Sequence, residues 1–453
     1  MAAFTVAEVC AATKGTLQKA VEELQFHGIC TDTRLVRPEN LFIALTGERF
    51  DGHEFLLQAV QKGATGVVVS RKDISLPSGI AVVIVENTLR ALQDLANFHR
   101  RRYQIPVIAI TGSNGKTTTK DLTAAILASR LCVLKTEANF NNEIGLPLTL
   151  LNMTGEHQVA VVEMGMRGPG EIAELAQIAE PTAGIVTNVG ETHIELLGSL
   201  DNIAQAKSEL VEAIPETGFI VLNSDNSYVK AMSSKAKGRI VFYGIEQSGH
   251  VQADNIQTEG LHTSFMCRCH GEEFVLRLPM IGRHNIYNTL AAVAAAWELG
   301  LRAEAIQEGL SQFQPTAMRQ QIERVGDYTV INDAYNASPL SMTGAISTLQ
   351  QVATGRAVAV LGDMLELGEV AVEAHRRIGQ AAADCGVNAV ITVGPLAKHI
   401  AIAAQEAGVA ETVACQDHEE ASAVLRRLLQ PGDTVLLKGS RGMRMEKILE
   451  MLG

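Results

Sequence analysis

The chain lacks a surplus of positive charge. Its 38 Lys and Arg face 50 Asp and Glu, a formal net charge of −12, so it has no basic surface of the kind a nucleic acid needs. It also lacks ordered cysteines. The seven at 10, 30, 132, 267, 269, 385 and 415 are an odd number without C-x-x-C spacing, which argues against a disulfide framework or thiolate zinc and fits a reducing compartment. No apolar stretch is long enough for a membrane span: the Ala-rich run Leu290 to Trp297 falls well short, and Glu8 and Lys14 interrupt the most apolar part of the beginning. Internal repeats and low-complexity tracts are missing too. What remains is the expectation of a soluble cytoplasmic protein that meets any anionic substrate with a helix N-terminus, a metal ion or single Arg and Lys residues.

The most informative segment present is Thr111-Gly112-Ser113-Asn114-Gly115-Lys116-Thr117-Thr118-Thr119, between an apolar run at Val107 to Ile110 and a helix-like segment at Lys120 to Ser129. Strand, glycine loop and helix are the setting of a phosphate cradle. Gly112 and Gly115 let backbone N–H groups turn inward, the helix adds its positive end, Lys116 neutralises charge, and the Thr117 hydroxyl can ligate Mg²⁺. A standard Walker A motif would place Gly where the chain has Ile110, so the match is to a shortened G-x-x-G-K-T form. The competing reading is a Gly/Asn/Ser turn before an ordinary helix.

At 453 residues the chain is too long for one core, and about 150 residues per domain predicts three units. Residues 1–104 read as a small α/β unit, with short apolar runs at Leu41 to Leu45, Gly66 to Ser70 and Ala81 to Val85. Residues 105–317 read as a parallel sheet with crossover helices, carrying an antiparallel appendage between Val251 and Leu278 and then a helix from Asn285 to Leu299. After a linker near Pro315 to Arg319, residues 318–453 alternate strands and helices as a Rossmann-like unit. The fold class is α/β throughout.

Glu163 ends the apolar run Val159 to Val162, where a carboxylate beside Thr117 would share a magnesium ion on a triphosphate; the alternative is a solvated strand-end acid. His193 follows another strand candidate, Gly184 to Asn188, and strand ends of open α/β sheets converge on one crevice, although a lone histidine is more often structural. Lys207 carries no signal by itself, since a helical lysine is normally solvated.

The loop, Glu163, His193 and Ala206-Lys207-Ser208-Glu209 occur in the order seen in Mur ligases, the ATP-dependent amino-acid and peptide ligases of bacterial cell-wall precursor synthesis, and the resemblance extends through all three blocks. It is carried further by Asn139 to Pro147, Asn332-Asp333-Ala334-Tyr335-Asn336-Ala337-Ser338-Pro339, Leu361-Gly362-Asp363-Met364-Leu365-Glu366-Leu367-Gly368 and Lys438-Gly439-Ser440-Arg441-Gly442-Met443-Arg444. These segments narrow the resemblance to the branch acting on UDP-N-acetylmuramoyl-tripeptide and D-alanyl-D-alanine. The resemblance implies ATP and two Mg²⁺ ions, an acyl-phosphate intermediate and a monomeric enzyme. It gives Gly112, Ser113, Asn114, Gly115, Lys116, Thr117 and Thr118 to the phosphates and Thr117, Glu163, His193 and a carbamylated Lys207 to the metals. Arg319 falls on the γ-phosphate, Asn285 on adenine, and Asp333, Tyr335 and Asn336 on the ribose. For the substrate it implies Thr33, Arg34, Thr46, Gly47, Asp51, Gly52 and His53 at the UDP end, with Asn141, Asn142, Lys438, Ser440 and Arg441 nearer the joining peptides. One departure is Asp32-Thr33-Arg34 in place of the commoner Asp-Ser-Arg, which keeps the hydroxyl and adds a methyl group.

Other readings of the same residues stay open. Asn285 could be a helix N-cap, Arg319 a surface arginine, Asn336 to Pro339 a turn, and Lys207 a salt-bridging lysine. A folylpolyglutamate synthetase shares the loop but normally lacks the roughly hundred-residue first module. A Mur ligase adding one amino acid is a second rival, and a nucleotide-hydrolysing switch a third of another class.

Overall fold

The computed structural model describes residues 2–19, 24–47 and 50–452. Its centre is a nine-stranded sheet in the spatial order 272–278, 262–269, 251–259, 239–244, 219–223, 183–186, 107–111, 159–163 and 133–135. Val107–Thr111 is buried on both faces and runs parallel to neighbours on each side, Val159–Glu163 and Ala183–Val186. Continuous β-branched runs suit that double burial, because alternate residues face opposite helical layers. Val107 and Ala109 enter one core, and Ile108 and Ile110 enter the other. The antiparallel segment joins this sheet edge-on: Val251–Glu259 pairs parallel with Arg239–Gly244 and antiparallel with His262–Cys269.

The first module is a five-stranded sheet, 16–19, 81–84, 66–69, 41–43 and 29–30, beside a two-stranded pairing of Ala3–Thr5 with Gln25–His27. It does not stand apart from the centre. Phe4, Phe26, Leu92 and Leu95 belong to the same buried cluster as Val107, Val162 and Ile220 of the central sheet. Polar stitches reinforce the junction. The buried Arg100, at the end of helix Thr88–Arg100, donates to the carbonyls of Tyr103 (2.6 Å), Ala179 (3.0 Å), Ile105 (3.2 Å) and Glu180 (3.4 Å).

The third unit is a six-stranded sheet in the order 321–325, 328–332, 434–438, 357–362, 389–393 and 411–415, parallel except for the first pair. It has two buried clusters of its own, one on each face. The segment between helix Ala303–Ser311 and strand Gln321–Val325 has no regular element, and Thr316 in it donates to the Asp121 carboxylate at 2.7 Å. This three-unit α/β architecture is the one expected from the sequence.

Helices begin where the phosphate loop and its partners need them. The helix after the loop starts at Lys116 rather than 120, with Gly115 in the left-handed N-cap position at φ 81°. Helix Arg283–Glu298 starts two residues before Asn285, with Gly282 at the N-cap, which removes the capping reading of Asn285.

Candidate functional site

Three parallel strands end together. Beyond Thr111 comes the glycine loop, beyond Glu163 the turn at Met164, and beyond Val186 the segment Thr187 to His193. That last segment braces the loop from behind: Ser113 N donates to Asn188 O (2.9 Å), Asn114 N to Asn188 Oδ1 (2.9 Å), and Thr187 Oγ1 to Asn114 O (2.7 Å). The Ser113 hydroxyl is taken up by Gly190, donating to its O and accepting from its N at 3.0 Å each, so its side chain shapes the loop. Gly115 leaves the first turn of helix Lys116–Ala128 without a side-chain cap, and those amides carry the positive end of a helix dipole. Lys116 Nζ folds back over the loop to Gly112 O (2.9 Å) and Ser113 O (3.4 Å). Burial holds its ammonium below the ordinary lysine range, opposed by the charge of Glu163 and aided by that of Arg319.

Glu163 is buried beside the loop. Its Oε2 accepts from Thr117 Oγ1 at 2.8 Å and its Oε1 from Asn141 Nδ2 at 2.7 Å. Two hard oxygen donors in contact suit Mg²⁺, which prefers one or two carboxylates supplemented by phosphate and water oxygens. Among the described residues no three His, Cys, Asp or Glu side chains converge as a metal cage. Lys207, on helix Leu200–Ala213, is 3% exposed and makes no hydrogen bond among the described contacts. Burial, then the charge of Lys116, pushes its amine far below the usual lysine range. That removes the salt-bridging reading of Lys207. His193 adopts a left-handed conformation at φ 59°; burial lowers its pKa while the Glu366 carboxylate against its Nδ1 raises it.

The third unit faces these strand ends across a cavity of about 930 Å³. Its lining includes Ser113 to Thr118, Glu163 and His193 from the centre and Arg319, Asp333, Tyr335, Asn336 and Lys438 from the third unit. The Arg319 guanidinium stacks on the Tyr335 ring at 3.9 Å. Asn285 also lines the cavity; its amide nitrogen donates to Ile281 O and Gln320 Oε1, both at 2.8 Å, and its Oδ1 accepts one long bond from Asn288 Nδ2 at 3.3 Å, which leaves that oxygen a second lone pair. Lys438 pairs with Asp333 Oδ2 at 2.5 Å and donates to Asn336 O at 2.9 Å, which leaves one ammonium donor toward the cavity it lines. Ser440 Oγ accepts from Leu365 N at 2.9 Å, and Arg441 pairs with Glu446 at 2.7 Å; neither lines the cavity.

The residues expected at the UDP end lie on the first module, outside this cavity. Asp51 caps the turn at 52–55, accepts from His53 N (2.9 Å) and binds His53 Nδ1, while Thr46 Oγ1 donates to it at 3.3 Å. Gly52 is a close approach, since a Cβ there would sit 2.7 Å from Leu45 O. His53 Nε2 accepts from Ser70 N at 2.9 Å, which makes this histidine a brace for the loop. Gly47 N donates to Phe50 O (2.9 Å), and Glu48 and Arg49 lie outside the described residues. Thr33 Oγ1 donates to Gln58 (2.9 Å), Arg34 pairs with Asp32 (2.6 Å) in solvent, and Asn142 Oδ1 accepts from Gly145 N (2.9 Å).

Sequence reasoning missed Ser338, whose hydroxyl donates to Asn114 Oδ1 at 2.8 Å across the cavity, and Glu366. Both stood inside quoted motifs, and Ser338 before Pro339 is a helix-start signature.

Three family models account for most of the chain: "Mur ligase family, catalytic domain" over residues 25–102, "Mur ligase middle domain" over 110–296, and "Mur ligase, glutamate ligase domain" over 318–441. The chain belongs to the Mur ligase family. This Mur ligase is 38% identical over 453 residues to the UDP-N-acetylmuramoyl-tripeptide–D-alanyl-D-alanine ligase of Bacillus subtilis (strain 168), covering 99% of this chain and 98% of the relative. Its fold is similar to that of MurF from Acinetobacter baumannii, with a TM-score of 0.92 at 33% identity over 99% of this chain and 98% of that one. MurF from Thermotoga maritima, solved in complex with ADP, matches with a TM-score of 0.85 at 27% identity over 96% and 98% of the two chains. Among the described residues, no helix of this Mur ligase is long and apolar enough to cross a membrane.

Proposed function

We propose that this Mur ligase uses ATP to join D-alanyl-D-alanine to UDP-N-acetylmuramoyl-tripeptide, working as a cytoplasmic monomer in peptidoglycan precursor synthesis. The observation that carries this reading is a single cavity lined jointly by the phosphate loop, Glu163 and His193 on one side and Arg319, Asp333 and Tyr335 on the other. The full-length similarity to ligases of that name supports the choice of substrates.

A carboxylate repels nucleophiles and has no good leaving group. One oxygen of the tripeptide's terminal carboxylate therefore attacks the γ-phosphorus of ATP, ADP departs, and an acyl phosphate forms. The dipeptide amine then adds to the acyl carbon, loses a proton, and expels inorganic phosphate to leave an amide. Thr117 with Glu163, and His193 with Lys207, would hold two magnesium ions, which when bound would offset the charge between triphosphate and carboxylate. Lys116 and the helix amides hold the phosphates, and Arg319 meets the γ-phosphate from the third unit.

Lys207 acts in this reading as a carbamate. Its low amine pKa favours the neutral nucleophile, which adds CO₂, releases a proton and turns a cation into an oxygen ligand. Asn285 offers Oδ1 to adenine and Asp333, Tyr335 and Asn336 border the ribose, while Thr33, Arg34, Thr46, Asp51 and their neighbours take the UDP end. The test is a matrix of amine donors against UDP-linked acceptors, scored by product mass. D-alanyl-D-alanine on the tripeptide should give the amide with stoichiometric phosphate. A preference for a free single amino acid would overturn the substrate assignment, and phosphate release without any amide would favour a switch.

A further inference from the structure

The segment Leu361 to Gly368 has no direct part in the chemistry above, yet its backbone is held with unusual care. Asp363 Oδ1 accepts from Leu396 N (3.1 Å) and Ala397 N (2.6 Å), tying the segment to the start of helix Lys398–Glu406. Met364 N donates to Nε2 of the fully buried His375 (2.9 Å), whose Nδ1 donates to Ala371 O (2.6 Å). Leu365 N is taken by Ser440 Oγ (2.9 Å), and Asp363 O accepts from Ser440 N (3.0 Å). The next residue, Glu366, is forced into the left-handed region at φ 62°, a conformation that costs a non-glycine residue about 1 kcal/mol or more.

The direction gained by that strain is across the gap between units. The Glu366 carboxylate lies against His193 Nδ1, and Glu366 O accepts from Glu195 N at 3.2 Å. Beside it, Arg377 donates to both oxygens of Glu191 at 2.7 and 3.0 Å. His193 is itself left-handed, so two strained residues from different units meet at this contact. A carboxylate on one ring nitrogen fixes the tautomer of an imidazole and turns its other nitrogen outward as a ligand.

We propose that Glu366 is a positioning residue that reaches from the third unit to orient the His193 ring at its metal position. This rests on the metal role of His193 proposed above. Asp363, His375 and Ser440 act one step further out by holding the Glu366 backbone.

The test is Mn²⁺ binding to the full-length protein with a non-hydrolysable ATP analogue, followed by electron paramagnetic resonance. Variants are His193→Ala, Glu366→Ala, Glu366→Asp and Arg377→Ala, each checked for an unchanged melting temperature. Glu366→Ala should weaken one Mn²⁺ by about tenfold or more, as losses of such outer carboxylates do. It should leave nucleotide affinity intact and lower kcat more than it raises KM, and Glu366→Asp should recover part of the loss. Arg377→Ala removes an inter-unit contact that does not touch His193 and should keep the native Mn²⁺ affinity. Native binding by Glu366→Ala while His193→Ala is weakened would overturn the positioning role. Equal weakening by Arg377→Ala would assign the effect to docking and overturn it as well. Native binding by His193→Ala would overturn the metal reading on which it stands.

Discussion

Gly115 shows how narrowly a single position is constrained. Its φ of 81° is left-handed, and a Cβ there would lie 2.4 Å from Asn288 Oδ1, whose amide is in turn held by Thr119 Oγ1 and Asn285. Gly115→Ala should cost about 1–3 kcal/mol of stability. It should also lower ATP affinity by more than that alone explains, because the helix amides no longer point at the phosphates. Calorimetric titration with ATP and thermal melting separate the two effects. Lys207 gives the opposite lesson. Its folded-state pKa lies well below the ordinary lysine value of 10.5, so the unfolded chain binds the extra proton and stability rises with pH up to that value. Lys207→Met should abolish ligation, yet in the absence of bicarbonate and metal it should raise stability near neutral pH by about 1–3 kcal/mol. The advantage should fade as pH climbs toward 10.5, which melts recorded across pH will show.

Helix Pro339–Val352 carries a capping box, Ser338 with Ser341, and the same Ser338 hydroxyl donates to Asn114 of the phosphate loop. The two roles come apart by substitution. Ser338→Ala should lose about 1 kcal/mol of capping and also weaken ATP binding. Ser338→Asp keeps a capping acceptor but sets an acceptor against Asn114 Oδ1, so it should keep the melting temperature and still raise KM for ATP. At this scale much was legible beforehand. Glycine, Lys-Thr and a preceding apolar run mark the phosphate loop through local chemistry, and Ala389–Val393 and Thr434–Lys438 are strands that their β-branched runs announce. Other elements were less visible. Helix Lys116–Ala128 begins within the loop because Gly115 can take the turn, a boundary that periodicity does not mark. The family resemblance of the segment Lys438 to Arg444 gives Lys438 and Ser440 to the substrate, and their contacts within the third unit are not legible in it. Their partners, Asp333 and Leu365, lie far away in sequence, and no spacing rule announces such a pairing. The pairing of Glu366 with His193 was hidden for the same reason.

Across the whole molecule the two junctions differ in kind. The first module shares a hydrophobic core with the central sheet, whereas the third unit has its own cores, met from the centre by Ile194 at their margin and by polar contacts such as Ser338 with Asn114 and Arg377 with Glu191. Scanning calorimetry should therefore resolve two transitions, the first module melting with the centre and the third unit apart. ATP with Mg²⁺ should draw the transitions together, since a ligand bound between units stabilises both. One broad transition that ATP leaves unshifted would contradict this. The four carbonyls gathered by Arg100 then acquire a meaning beyond adhesion. If the nucleotide end of the acceptor rests on the first module, as proposed, these bonds hold that surface at a constant span from the phosphate loop. On that placement the first two units would form a gauge of acceptor length, set against the cavity wall that the third unit supplies.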